Sequence, residues 1–431
     1  MKSHDRSQSD LANTERELVR GQLNVAITIG SLAMGGAERM ALNLGRGLQQ
    51  RGHRVTIVTV TQRSEWHGLL DQYGLAGLHV AGRATTHAYV HAWRVGRALR
   101  KSGFDAVVMV KYTGSERCTQ AALNMLPDSV VAIPWIHADT DEAYHRAMLN
   151  SGAWNVAVGV GVGVTERARA FSAGRPVVHI PNGIDVPDPD LLASGRSLHD
   201  VPFHIAYVGR IEQAQKRVFL LPRILRRLRD LGVPVELSLV GDGPDRAELA
   251  SRFREEGVLE GVRMHGALSH DEVYGVYAQA HATLMPSSSE AMPCVPIEAQ
   301  LCGSVPVASF LPGVTDTIVK EGETGLLCPV GDVEAFAEAV QLLATNRALW
   351  QRMSCAGQVH ASQFTIRAMA EAFEALIYQC QAGQYPLPHP RRKWLPVSPL
   401  AMSFRDALPL WLKRLGIRTR LSQLSGGSGI C

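Results

Sequence analysis

The sequence has little of what would direct it to a membrane span, a secretory route or a nucleic acid. No segment offers some eighteen uninterrupted apolar residues. The longest candidate, residues 153–164, is too short and too rich in glycine, so no membrane-spanning helix is expected. The first twenty residues, MKSHDRSQSDLANTERELVR, form a polar extension without an apolar core, which argues against a secretory signal. Seven cysteines (118, 294, 302, 328, 355, 380 and 431) make no CxxC pair and leave an odd number. That pattern suits free thiols in a reducing cytoplasm and offers no zinc site. A net charge of +4 is too small to argue for a nucleic-acid partner. A full G-x-G-x-x-G is also missing after the first apolar run, which counts against a dinucleotide site.

What is present is enough for two domains: 431 residues, 46% apolar and 19% charged. Residues 23–29 read as a buried parallel strand. A glycine turn, Gly35-Gly36, leads into a helical pattern with Met40, Leu44 and Leu48 on one face, ending near Gly52, and residues 55–60 give a second strand. This β-α-β unit places the glycine turn at the C-terminal edge of the sheet, where open α/β sheets bind ligands. Taken locally, the glycines serve a tight turn as well as a ligand. Further strands are expected at 106–110, 130–136 and 156–160, with a helix at 92–101 between them, so the predicted class is α/β with a doubly wound parallel sheet.

His137 closes the strand VVAIPWIH and falls at the same sheet edge, where it is either structural or a hydrogen-bonding partner for a sugar hydroxyl or phosphate. The run GVGVGV (159–164) looks like a phosphate loop but is better explained by close packing of a strand end. Asp139-Thr140-Asp141 and Asp188-Pro189-Asp190 have D-x-D form, a spacing that arises often by chance, and neither is taken as a metal site. The turn-rich segment 177–202 reads as a linker, and beyond it the α/β alternation restarts.

The stretch SSSEAMPCVPIEAQLCG (287–303) carries the densest signal in the second half. It follows a buried strand, 282–285, and continues into a short helix from about 293 to 302, with proline in its first turn and Gly303 at its C-terminal cap. Glu290 then lies in the strand-to-helix loop and Glu298 on the helix. Next to an anion at the helix start, two carboxylates would accept hydrogen bonds from flanking hydroxyls rather than bind phosphate themselves. A ligand with sugar hydroxyls around a phosphate is a nucleotide or a nucleotide-sugar. Read in isolation, the two acids serve equally as solvated surface residues. Arg210, after the strand HIAYVGR, and Lys216, in RIEQAQKR, supply cations at the same sheet edge, where they would neutralise a departing diphosphate.

These segments together resemble the large retaining glycosyltransferase family of GT-B fold called family 4 (glycosyl transferases group 1). The matching features are GGAERMALNLGRGLQQRGHRVTIVT, His137 after its strand, PNGID (181–185), VGR…QKR (208–217), VGDGP (240–244), the E-x7-E stretch and EGETGLLCPVGDVEAFAEAV (321–340), covering about residues 21–380. The resemblance implies two Rossmann-like domains facing each other across a cleft. Its expected layout is a polar extension (1–20), an acceptor-side domain (21–190), a nucleotide-sugar-binding domain (200–365), a crossover helix (366–382) and a basic, aromatic tail (383–431).

It also implies roles. Arg210 and Lys216 match the cations on the donor diphosphate, Glu298 the acid on the ribose hydroxyls, and Glu290 the acid on the transferred sugar. Ala291, Met292 and Pro293 complete the donor loop between the acids. His137 matches the histidine reaching over the sugar, and Gly35 and Gly36 the loop near the donor phosphates and acceptor. The family pattern implies retention of anomeric configuration, with no metal and no cofactor. The donor implied is a UDP- or GDP-sugar, and the acceptor a hydroxyl of a cell-surface polysaccharide, lipopolysaccharide or lipid-linked saccharide. A same-fold phosphorylase or sucrose-type enzyme, or a catalytically degenerate sugar-nucleotide-binding protein, is the alternative. Three departures are visible: Ala291 in place of glycine, an extra residue in CGSVPVA, and Asp316 where glutamate is usual. If position 291 needs a positive φ, alanine is strained there.

The tail lies outside the resemblance. Arg391, Arg392 and Lys393 beside Trp394, then Leu410, Trp411, Leu412 and Leu415 among Lys413, Arg414, Arg418 and Arg420, form a basic, partly amphipathic segment. It suits either an anionic membrane surface or the protein's own body. The expected location is cytoplasmic, with peripheral attachment at the inner membrane face if the tail binds lipid.

Overall fold

The computed structural model describes residues 21–30, 32, 35–60, 68–80, 88–110, 117–188 and 202–391. The first half builds one parallel sheet from β1 (Asn24–Ile29), β2 (Arg54–Thr59), β3 (Ala76–His79), β4 (Ala106–Val110), β5 (Val131–Ile136), β6 (Ala157–Gly159) and β7 (Val177–His179). Their order is β3-β2-β1-β4-β5-β6-β7. The second half builds another from β8 (Phe203–Val208), β9 (Val235–Val240), β10 (Val262–Gly266), β11 (Ala282–Met285), β12 (Val305–Ser309) and β13 (Leu326–Cys328), in the order β10-β9-β8-β11-β12-β13. The near-continuous apolar runs of β1, β4 and β5 are what a strand needs when helices cover both of its faces. This is the GT-B architecture, two Rossmann-like domains of doubly wound topology.

In each sheet the strand order reverses beside the first strand, between β1 and β4 and between β8 and β11. Loops leaving the C-terminal ends of such strands diverge and open a crevice. Gly35 and Gly36 follow β1, Arg210 follows β8 and Glu290 follows β11, so the folding topology alone delivers these residues to crevice rims.

The last long helix, Ile366–Gln381, returns to the first domain and packs on the glycine-turn helix Gly36–Gln50. Thr365 caps its start by accepting from Ala368 N–H at 3.1 Å. Phe373 meets Trp135 of β5 edge-on, 4.9 Å between ring centroids. Arg51 bridges to Glu374 (2.5 Å) and Glu371 (2.9 Å). The chain then runs on across the first domain as far as Arg391.

Three strands depart from the sequence expectation. β7 lies within the segment read as linker, and β3 and β13 fall where no strand was assigned. For Arg391 the structure decides between the two readings of the tail in favour of packing on the protein's own body. It is 3% exposed, and its guanidinium donates to the carbonyls of Ala153 (3.0 Å), Val130 (2.8 Å) and Pro127. Burial pushes its pKa down to about 10, partly offset by Asp128. A cation that caps three carbonyls of its own domain is not available to a membrane. The rest of the tail, from Arg392 and Lys393 onward, lies outside the described residues, as do the 1–20 extension and Asp190.

Candidate functional site

The second-domain side of the site is assembled from loops tied to each other. Gly241, after β9, has φ +131, and a Cβ there would sit 1.9 Å from the carbonyl oxygen of Gly209. Only glycine lets these two strand ends nest, which fixes where Arg210 emerges. The Tyr207 hydroxyl donates to the Arg210 carbonyl at 2.9 Å. The Arg210 side chain is 58% exposed and pairs with Glu212. Lys216 ends the one-turn helix Gln213–Lys216, which Arg217 closes in the left-handed region at φ +51.

That turn is zipped to the loop after β11. Ser288 N–H donates to the Gln215 carbonyl (2.8 Å), the Gln215 side chain to the Ser289 carbonyl (2.9 Å), and Lys216 Nζ to Glu290 Oε1 (2.6 Å). Glu290 and Arg210 both act on the buried Tyr207 hydroxyl, whose pKa burial raises, with Glu290 adding to the rise and Arg210 opposing it.

Glu298 lies on the two-turn helix Val295–Leu301, with Pro296 in the first turn and Gly303 beyond the end at φ +71, as the residue pattern implied. Its side chain is only 4% exposed. Oε2 accepts from the Tyr277 hydroxyl at 3.2 Å, while Oε1 accepts from Arg39 Nη2 of the first domain. Arg39 is three residues past Gly36 on the glycine-turn helix. Its guanidinium is 3.4 Å from His270 Nε2, and His270 is 3.8 Å from Asp185, which also pairs with Arg46. A polar network therefore joins the two domains through Arg39, Arg46, Asp185, His270, Tyr277 and Glu298. Burial is the largest influence on the Arg39 pKa and on its own would lower it, but Glu298, with smaller help from Cys294 and Tyr274, more than offsets it, so the net shift is upward. Burial and the Arg39 charge both lower the pKa of His270.

The first domain also touches the loop 291–293 between the two acids. A Cβ on Gly161 would lie 2.6 Å from the Ala291 carbonyl oxygen, and Asn182 N–H donates to Met292 Sδ at 3.1 Å. Gly163 N–H donates to the Gly313 carbonyl at 2.9 Å. The GVGVGV run thus serves close approach, here between domains. Ala291 is not among the described residues with positive φ, so its methyl group is not strained. Pro293 is buried in the same loop, and Asp316 is exposed on the turn after β12.

His137 directly follows β5, half-buried, with its ring 4.2 Å from that of Trp135. Gly35 caps the glycine-turn helix, and the Glu38 side chain lies over it, close to where a Cβ would project. Gly36 has open space around its Cα. Asp139 and Asp141 both pair with Arg167, at 2.8 and 3.2 Å, and Asp139 accepts from Tyr144. Among the described residues, no group of three or more His, Cys, Asp or Glu is placed to hold a metal ion.

Sequence reasoning placed Lys216, Glu290 and Glu298 but missed Arg39, Asp185, His270 and Tyr277. The letters GGAER were in view, yet an arginine on an amphipathic helix gives no sign of a partner 259 positions away.

Comparison with known proteins bears on the fold and on the second half of the chain. Residues 196–360 match the family model of glycosyl transferases group 1. The glycogen synthase of Mycobacterium tuberculosis is 30% identical over 213 residues, 49% of this chain and 50% of that protein. The phosphatidyl-myo-inositol mannosyltransferase of Mycobacterium leprae is 26% identical over 344 residues, 75% of this chain and 87% of that one. The crystal structure of Anabaena HepE in complex with UDP-glucose has a TM-score of 0.70 at 16% identity, covering 83% of this chain and 100% of that chain. The chain has the GT-B fold, and its second domain is similar to the glycosyl transferases group 1 family. It spans about half the length of the glycogen synthase it matches.

Proposed function

We propose that the protein is a retaining glycosyltransferase that moves a sugar from a UDP- or GDP-sugar to a hydroxyl of a cell-surface polysaccharide, lipopolysaccharide or lipid-linked saccharide. The observation that carries this reading is the convergence, at the β8/β11 switch point, of Arg210, Lys216 and Glu290, with Glu298 following on the next helix. Lys216 and Arg210 take the diphosphate, and Glu298 takes the ribose hydroxyls. Glu290, held by Lys216, receives hydroxyls of the transferred sugar. Ala291, Met292 and Pro293 wall the sugar pocket, while His137, Gly35 and Gly36 approach it from the first domain. The bond from the sugar's anomeric carbon to the β-phosphate oxygen breaks, and its electron pair goes to that oxygen. The acceptor oxygen bonds to the anomeric carbon from the same face, and its proton passes to the leaving phosphate. Charge growing on the diphosphate is met by cations already in place, which is where electrostatic catalysis is most effective.

The test is thermal stabilisation by a panel of nucleoside diphosphates on the wild type, Lys216→Ala and Glu298→Ala. Stabilisation by at least one diphosphate, reduced in both variants, is expected. No stabilisation by any of them, or equal stabilisation of all three proteins, contradicts the reading. Peripheral attachment through residues 392–431 is part of the same proposal, and absence of co-sedimentation with anionic vesicles at low salt would exclude it.

A further inference from the structure

The arginine that reaches Glu298 comes from the domain that does not carry that acid. Arg39 stands one turn into the helix Gly36–Gln50, with its N–H bonded to the Gly35 carbonyl at 3.1 Å, so it is fixed to the glycine turn. Its guanidinium donates to Glu298 Oε1 and lies 3.4 Å from His270 Nε2, with Asp185 behind that ring. On the other oxygen, Oε2, the Tyr277 hydroxyl donates at 3.2 Å. Tyr277 is fully buried, and burial, helped by Glu298, pushes its pKa up, so it keeps the proton that it donates. With both oxygens tied, the carboxylate is held in one orientation. A carboxylate has about four lone-pair positions, so one donor on each oxygen leaves a position on each for a further donor. Two adjacent hydroxyls, one for each oxygen, match that remainder.

We infer that Arg39 is a positioning residue for nucleotide selection: from the first domain it orients the Glu298 carboxylate so that the remaining lone pairs receive the two ribose hydroxyls. The inference rests on the assignment of Glu298 to the ribose. Arg39 acts through the acid rather than on the nucleotide. A carboxylate with 4% exposure needs a cation close by, because an unpaired buried charge is costly. His270, whose pKa is lowered by burial and then by Arg39, presents a neutral ring there rather than a second charge. Discrimination for ribose is then a property of both domains, and the arginine and the glycine turn reach the donor as one helix end.

The experiment is equilibrium titration of the full chain at pH 8. Wild type and Arg39→Met are titrated with UDP, GDP and their 2′,3′-dideoxy counterparts. Arg39→Met should lose about tenfold in affinity for the preferred ribonucleoside diphosphate and nothing for its dideoxy form, so the preference for ribose shrinks. Arg39→Lys, which keeps a cationic donor, should retain part of that preference and fall between the two, and it carries the test if the methionine variant does not fold. If the ratio of ribo to dideoxy affinity is the same in variant and wild type, whether or not both affinities fall, the positioning role is overturned. Equal binding of both forms by the wild type overturns the ribose assignment instead, and the inference with it.

Discussion

Two carboxylate–cation pairs stand eight residues apart in the sequence, and they are built in opposite ways. Glu290 and Lys216 belong to one domain, on segments tied by several further hydrogen bonds between 214–215 and 288–289, so the pair forms whenever the second sheet folds. Glu298 and Arg39 belong to different domains, so their pair forms only when the domains meet. The first arrangement gives preorganisation, the second gives coupling. A diphosphate site benefits from cations that never move, because reorganisation at the moment of reaction is costly. A site that must admit and release a nucleotide benefits from a contact that can be exchanged.

The sharpest way to break the comparison is to remove the fixed cation. Lys216→Ala should slow sugar transfer by roughly a hundredfold or more, about 3 kcal/mol of barrier, in steady-state assays with the preferred nucleotide-sugar. Domain approach can be perturbed next without touching either pair. Gly161→Val places a side chain against the Ala291 carbonyl and should cost about 1–3 kcal/mol of stability in urea melts. Its transfer rate should fall as well, since the loop 291–293, the proposed donor loop, is displaced from the first domain. Unchanged stability would mean that the two domains separate easily at that point.

The smallest effect concerns pH. His270 lies in the cross-domain network and has a lowered pKa, through burial first and then Arg39. His91, inside the first domain, is lowered chiefly by burial. The unfolded chain therefore takes up protons at these sites before the folded one does. Their contribution to stability is full above the ordinary histidine value of about 6.5 and is lost as pH falls from there through the lower folded values. Urea melts between pH 5 and 8 should show this decline, shallower in His270→Asn than in the wild type. An identical slope would remove His270 from the account.

Most of the α/β frame was legible because buried parallel strands leave continuous apolar runs, as in VAITI or AVVMV, and because glycine and proline mark where those runs turn. β3 was not legible: AGLH is four residues long, contains a glycine and is half-exposed, so it carries no apolar signal. β7 was hidden because its three residues run into the turn formers of the PNGID segment. In the site, Glu290 and Lys216 were legible because they follow soon after strand ends that define the crevice, and Glu298 because it lies on the short helix that comes next. Arg39 and Arg391 were not, since each looks like a solvated cation until the tertiary fold supplies its acceptors.

The most direct measurement of the proposed diphosphate site is a calorimetric titration of wild type and Lys216→Ala with the nucleoside diphosphate that stabilises the protein most, and with the matching nucleoside. The account predicts that Lys216→Ala reduces diphosphate affinity toward that of the nucleoside and leaves nucleoside affinity unchanged. Equal diphosphate affinity in the two proteins, or an equal loss for both ligands, would contradict it.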